Sequence, residues 1–267
     1  MHIEILGYLG AIFVGLTLGL MGGGGSILTV PILVYLFSID AVQATADSLF
    51  IVGVTSLAGS ISHMKMGNIH WRTAVIFGIP SIISIFLTRA FLMPAIPASL
   101  FFIGNFEVTK SIGLLLLFAT VMLMASYSMI RKQPNPLNLS GQLQYNYPMI
   151  VTEGILVGAM TGLVGAGGGF LIIPGLVLLA KLPMKKAVGT SLIIIAVNSF
   201  IGFMGDIKNE NFIDWKFLLL FTGIAIIGIV SGSMLSKKIP GEKLKPAFGW
   251  FILVMGIYII LRETVFH

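Results

Sequence analysis

The chain has 267 residues, of which 57% are hydrophobic and only 10% charged, and its mean hydropathy is +1.02. A soluble domain carries about 25% charged residues, so this composition excludes an ordinary water-soluble fold. The formal net charge of +6 sits mostly in short loops between apolar blocks, where membrane topology explains it better than nucleic-acid binding, and the lack of cysteine excludes disulfides, thiolate metal sites and thiol chemistry.

The start, Met1-His2-Ile3-Glu4, lacks the basic region of a secretory signal, so the first apolar segment reads as retained structure. That segment has two parts, about 5–21 and about 26–37, separated by Gly22-Gly23-Gly24-Gly25. Further apolar segments cover about 43–63, 72–93 and 108–130. The last contains Ile112–Met124, whose one polar residue is Thr120; about 20 such residues span a hydrocarbon core. A polar linker, about 131–147, carries Pro134, Asn135, Pro136, Gly141 and Gln142. Beyond it lie a segment at about 148–164, a break at Gly165-Ala166-Gly167-Gly168-Gly169, and a short segment at about 170–180. Three more segments follow, at about 186–205, 215–236 and 246–262.

The second half repeats the first at a constant offset of 143 residues. Gly15, Gly19, Gly22, Gly24, Gly25, Leu28 and Pro31 match Gly158, Gly162, Gly165, Gly167, Gly168, Leu171 and Pro174. The match continues through Ser48-Leu49 and Ser191-Leu192 to Gly59 and Gly202. Asn68-Ile69-His70-Trp71 recurs as Asn211-Phe212-Ile213-Asp214-Trp215, with one insertion before the Trp.

Charge sets the orientation of the halves. The linker carries Arg131 and Lys132, the loop 181–186 carries Lys181, Lys185 and Lys186, and the loop 237–245 carries Lys237, Lys238, Lys243 and Lys245. The positive-inside rule puts all three in the cytoplasm. The pair 148–164 and 170–180 then enters and leaves on one side, and its second arm of about 11 residues reaches only roughly 17 Å, half the core. Each half therefore reads as a Gly-broken helical hairpin plus three transmembrane helices. The expected architecture is an all-α integral membrane protein with two inverted-topology repeats: 1–130, a cytoplasmic linker at 131–147, and 148–267. Both termini and the loops 38–42 and 94–107 fall outside, and the loop 64–71 with Lys65 falls inside.

Non-helical backbone at membrane depth is tolerated only where protein buries it or where it lines a wet cavity. After each Gly cluster a short helix is expected to begin, at Ser26 and at Phe170, presenting free N–H groups and a positive dipole end. Gly22, Gly23, Gly24, Gly25 and Ser26 from one half, with Gly165, Gly167, Gly168 and Gly169 from the other, are the candidate substrate-binding backbone. Gly15 and Gly19 read instead as close helix packing. Ser48, Thr190, Ser191 and Asn198, with Thr55 equivalent to Asn198, supply hydroxyl and amide donors that would complete an anion shell; the alternative is interhelical hydrogen bonding.

These residues carry a family resemblance. Gly-Leu-Met-Gly-Gly-Gly-Gly-Ser before Pro31, and Gly-Leu-Val-Gly-Ala-Gly-Gly-Gly-Phe before Pro174, resemble the duplicated signature of the TauE/SafE sulfite exporter family. Gly67-Asn68-Ile69-His70-Trp71-Arg72 and Gly189-Thr190-Ser191-Leu192 extend it. The resemblance implies export or uptake of sulfite, or of an organosulfur anion such as sulfoacetate. One departure stands out: Ala46-Asp47-Ser48 occupies the place of Gly189-Thr190-Ser191.

Asp47 and His63 are the candidate coupling groups. An intramembrane acid is a functional candidate by default, and Asp47 could also pair with Arg89, while a carboxylate near the interface reaching water is the plainer reading. Histidine is the side chain that can switch charge near neutral pH, and the place of His63 at a span end makes a solvated histidine the expectation. Trp71 and Trp215 read as interfacial anchors. No G-x-x-x-x-G-K-[ST] loop occurs, so ATP drive would need a partner. His2, His63, His70 and His267 are scattered, which argues against an intramembrane enzyme or a metal site. The expected partners are a small anionic substrate and the lipid bilayer, without nucleic acid or cofactor. An anion channel of the same architecture and a homo-oligomer are both compatible with the pattern.

Overall fold

The computed structural model describes residues 2–103, 106–130, 147–165, 167–178, 180, 182–206, 213–236 and 241–265. The linker up to residue 146, Lys181, Lys237, Lys238, Asn211 and Ala166 lie outside these residues.

Helix α1 (His2–Met21) leads into a tight 3-10 turn, Gly22–Leu28, and then α2 (Thr29–Phe37). Gly22 takes φ +67°, a left-handed conformation open to glycine, and the chain reverses there. Gly7 lies against the Phe37 ring, Gly10 against Ile32, and Gly25 against Thr17 and Leu18, so α2 runs back along α1. Regular helix thus resumes at Thr29 rather than Ser26, because the intervening residues wind in the 3-10 form.

Helix α3 (Ala41–Lys65) is capped by Asp40, whose Oδ1 accepts from the Val42 amide at 2.9 Å. Helix α4 (Trp71–Leu87) is capped by the His70 ring and widens into a π turn, Thr88–Leu92, before a last turn at Met93–Ala95. The π turn comes just ahead of Pro94, which lacks an N–H and would crowd a regular ladder.

The all-α character holds, and the loop expected at 94–107 is the part that differs. Residues expected as loop contain the antiparallel strands β1 (Ser99–Ile103) and β2 (Phe106–Thr109), with Phe102 opposite Glu107 and Ile103 opposite Phe106. Helix α5 (Lys110–Ile130) therefore starts two residues later than the apolar pattern suggests.

Helices α6 (Tyr147–Val164) and α7 (Gly169–Leu178) flank the second Gly cluster, where Gly165 takes φ +76°. Gly168 packs on Thr161 and Gly175 on Glu153, so α7 runs back along α6. Helices α8 (Met184–Asp206), α9 (Trp215–Ser236) and α10 (Gly241–Val265) complete the chain. Lys185 and Lys186 lie in the first turn of α8, and residues 241–245 are helix rather than loop.

Among the described residues five helices are long and apolar enough to cross a membrane: Ala41–Lys65, Trp71–Ala95, Lys110–Tyr127, Met184–Asp206 and Trp215–Ser236. Large apolar side chains cover the outside, Ile227 being 65% exposed and Met124 70%. Hydroxyls and charges turn inward, including Ser48, Thr55, Asn198 and Arg89. Water would penalise that distribution at about 25 cal/mol per Å² of apolar surface; lipid favours it.

Two hairpin contacts are built alike. Helix α1 lies parallel on α9, Gly15 meeting the backbone of Ala225 and Ile229, and Gly19 that of Ile229 and Ser233. Helix α6 lies parallel on α4, Gly158 meeting Ser81 and Ser84, and Gly162 meeting Ile85 and Thr88. Gly15 and Gly19 thus pack helices, as their spacing suggests. Ala225 and Ile229 stand 144 residues after Ser81 and Ile85, the extra residue being the insertion before Trp215. At the centre α3 and α8 cross antiparallel: His63 lies beside Gly189, Gly59 beside Leu192, Gly53 beside Ser199, and Phe50 beside Phe203. Helix α5 packs on α10 at the flank.

Candidate functional site

The two Gly clusters meet. A methyl group added to Gly23 would collide with the Gly169 backbone, and one added to Gly169 would collide with Gly23. No side chain separates the tips. A serine of the other half lies against each tip, and one of the two bonds to its tip. The Ser48 hydroxyl shares its proton between the Thr45 carbonyl, at 2.9 Å, and the Gly165 carbonyl. Ser191 donates to the Val188 carbonyl at 2.8 Å, and its Oγ lies 2.9 Å from where a Cβ on Gly22 would stand. Ser191 and Val188 follow Ser48 and Thr45 by 143 residues, so the bond within the helix is shared by both serines, while the bond across to the tip is made by Ser48 to Gly165.

The remaining candidates divide. Ser26 turns its hydroxyl back onto the Gly23 carbonyl at 2.7 Å, within its own tip. Gly24 lies in the same 3-10 turn. Gly167 and Gly168 take φ +65° and +67°; Gly167 faces Val52, Ile195 and Ser199, and Gly168 faces Thr161. Asn198 reaches across to α4, its Nδ2 donating to Ser81 Oγ at 2.6 Å. Thr55 donates to the Ile51 carbonyl of its own helix at 2.5 Å. Thr190 is not with the glycines: its Oγ1 accepts from the His70 amide at 2.9 Å, while Gly189 sits on the Asn68 backbone. The segments Gly67–Arg72 and Gly189–Leu192, far apart in sequence, therefore meet where α8 fixes the start of α4.

The sequence profile of the family described as "Sulfite exporter TauE/SafE" matches residues 8–259. The chain belongs to this family. Its members are membrane transporters rather than enzymes. The chain is 32% identical to a probable membrane transporter protein of Xylella fastidiosa, across 94% of this chain and 92% of that one. It is 29% identical to a probable membrane transporter protein of Methanocaldococcus jannaschii, across 94% of each, and 29% identical to the probable membrane transporter protein YdhB of Bacillus subtilis, across 92% and 96%. No solved structure matches the chain.

In this TauE/SafE member the charged candidates are buried, not solvated. Asp47 is 4% exposed and His63 3%. Helix α3 is crossed by α8 and α9, which cover the face carrying Asp47 and His63 while Met64 and Lys65 stay exposed. Asp47 accepts from Gln43 Nε2 at 3.3 Å. The two coupling candidates do not meet: they lie 16 residues apart on one helix, about 24 Å at 1.5 Å per residue. Arg89 pairs with Asp206 at 2.7 Å rather than with Asp47. Helices α4 and α8 run in register through Ser81–Asn198, Ile85–Gly202 and Arg89–Asp206, which sets that pairing. Trp71 and Trp215 stand exposed at the starts of α4 and α9, as interfacial anchors would. Among the described residues no three His, Asp or Glu side chains are grouped to hold a metal ion.

Four polar residues in the TauE/SafE interior escape the sequence pattern. Ser81 receives Asn198. Ser56 and Ser199 are wholly buried and neither hydroxyl has a partner. Glu153 lies against Gly175 inside the second hairpin, its Oε2 buried without a hydrogen bond. An acid within an apolar segment was the legible signal for Glu153; the 143-residue offset linking Ser56 to Ser199 was the signal for that pair.

Proposed function

We propose that the chain is a secondary transporter moving a small sulfur-containing anion, sulfite or an organosulfonate such as sulfoacetate, across the cytoplasmic membrane. Residues 1–130 and 148–267 are inverted repeats joined by a cytoplasmic linker. Two features support the inversion. Helices α3 and α8 hold equivalent places in the halves and cross antiparallel. The α1–α9 and α6–α4 contacts interchange when the halves are exchanged. A two-fold axis that relates antiparallel spans lies in the membrane plane, so one hairpin enters from each side and both termini face the periplasm.

The observation that carries the function is the contact of Gly23 with Gly169 in a buried, hydroxyl-rich interior. Broken helices in matching places of two halves mark a transporter's binding site. The return arms begin at these tips, where free N–H groups and positive dipole ends favour an anion. Parting the tips toward one side and then the other gives the anion alternating access. The family description and the names of the relatives support transport, and the family description points to sulfite.

Purified protein in liposomes is expected to move sulfite or sulfoacetate with saturable kinetics; a channel would instead give a measurable, non-saturating current. Gly24→Leu and Gly168→Leu each abolish transport and leave membrane insertion intact. Unchanged transport in both variants refutes the half-helix site. Pro183→Cys and Gly241→Cys, introduced singly into this cysteine-free chain, should label from the cytoplasmic side. Reactivity confined to the periplasmic side at either position refutes the inversion.

A further inference from the structure

We propose that Ser56 and Ser199 are the hydroxyl donors that bind the transported anion, while Ser48 and Ser191 position the tips. This rests on the transport reading and names the side chains behind it.

A serine inside a helix usually bonds back to a carbonyl three or four residues earlier. Ser60 does so to Leu57 at 2.7 Å, Ser48 to Thr45 at 2.9 Å and Ser191 to Val188 at 2.8 Å. Ser56 and Ser199 sit in the same two helices with 0% exposure, and neither Oγ reaches any partner. Burying an unpaired hydroxyl carries a free-energy cost; among the described residues Thr29, Thr161, Thr222 and Ser233 also bear it, but only Ser56 and Ser199 stand at positions separated by the offset that relates the halves. A single unsatisfied hydroxyl is an oddity of packing. A pair at equivalent positions calls for a shared cause, and binding a ligand that accepts from both is the cause that fits them.

Their location agrees. Ser199 Cβ lies 3.2 Å from where a Cβ on Gly53 would stand, at the α3–α8 crossing, and its Oγ lies 2.9 Å from that position on Gly167, at the second tip. Ser56 follows Gly53 by one turn of α3, roughly 5 Å, so the two serines flank one crossing from opposite helices. Asn198, next to Ser199, gives one of its two Nδ2 protons to Ser81. Ser48 and Ser191 have committed their protons to carbonyls.

The ligand class follows from donor chemistry. Two neutral hydroxyls on the opposite helices of one crossing suit an oxyanion whose oxygens accept one bond from each half, as in sulfite or a sulfonate. Neutral donors hold such an anion without pairing its charge, which keeps release fast.

The test is Ser56→Ala, Ser199→Ala and the double variant in liposomes with sulfite, alongside thermal unfolding in detergent. Each alanine variant should unfold at or above the parent temperature, because it removes an unpaired buried group. Each should also raise the sulfite KM about tenfold, with a smaller effect on the maximal rate. Ser60→Ala, whose hydroxyl is bonded, leaves KM unchanged. An unchanged KM in the double variant overturns the assignment while the transport reading stands. So does a loss of stability that tracks the loss of transport. If the parent moves neither sulfite nor sulfoacetate, the sulfur-anion reading fails, and the serines are judged by thermal shift with sulfate, acetate and chloride. Stabilisation of the parent but not of the double variant by one of these supports the pair; stabilisation of both or of neither overturns it.

Discussion

Asp206→Leu isolates what the buried ion pair contributes. Arg89 is 1% exposed and its guanidinium keeps its charge at any accessible pH, so removing the carboxylate 2.7 Å away deletes the buried anion that pairs with it. Breaking a buried pair by deleting one partner costs about 3–5 kcal/mol, whereas replacing both partners with apolar residues is often neutral or stabilising. In chains approaching this size each kcal/mol moves Tm by about 2–4 °C. The single variant should therefore melt roughly 6–20 °C below the parent. Arg89→Met combined with Asp206→Leu should return to within about 3 °C of it. Intrinsic fluorescence in detergent follows the transition: Trp215 stands edge-on to Phe50 at 5.6 Å and to Phe203 at 6.2 Å, beside the helix that carries Asp206. A single-variant drop under about 2 °C, or a double variant no better than the single, would refute the claim that this charge is desolvated.

Gly162→Leu places a Cβ 2.7 Å from Thr88 Cβ. Carbon atoms settle at about 3.5–4.0 Å, so α4 and α6 must part by about 1 Å and the yield of folded protein should fall. Gly78→Ala meets no atom within 4 Å and should gain about 0.5–1 kcal/mol from helix propensity, read as a higher Tm. Gly175→Ile drives into Glu153 and should destabilise; adding Glu153→Gly recreates the Gly10–Ile32 pair of the first hairpin and should restore the melt. Failure of that rescue would break the equivalence of the hairpins. Thr190→Ala releases the His70 amide, expected to cost about 1 kcal/mol and to speed hydrogen exchange at His70 without abolishing folding.

Much of the architecture was legible because glycine carries it. Backbone contact between helices demands small residues at fixed spacing, so Gly15, Gly19, Gly158 and Gly162 announced both the repeat and the contact. The strands at 99–109 escaped because they lie among apolar spans, although Gly104-Asn105 between two aromatic-rich runs is a hairpin turn signal. The burial of Asp47 and His63 was not legible: span ends look interfacial in sequence, and only the crossing of α3 by its neighbours covers them. Thr190 offers a hydroxyl one turn into its span, as Ser191 does, yet adjacent residues on a helix face different neighbours, and Thr190 faces the His70 loop. Nor does sequence say whether a serine hydroxyl bonds to its own helix, which is what separates Ser56 and Ser199 from Ser48 and Ser191.

The contact of Gly23 with Gly169 has a kinetic consequence. A gate made of a side chain can flicker open as its rotamer flips in picoseconds to nanoseconds, and small ions slip through in that time. Here main chain closes on main chain, and nothing at the seam can rotate out of the way. Opening requires a whole hairpin arm to shift, a collective motion of microseconds to milliseconds. On the carrier reading proposed above, such a seam would pass solute only as often as the arm moves, a slower tempo than that of an open pore.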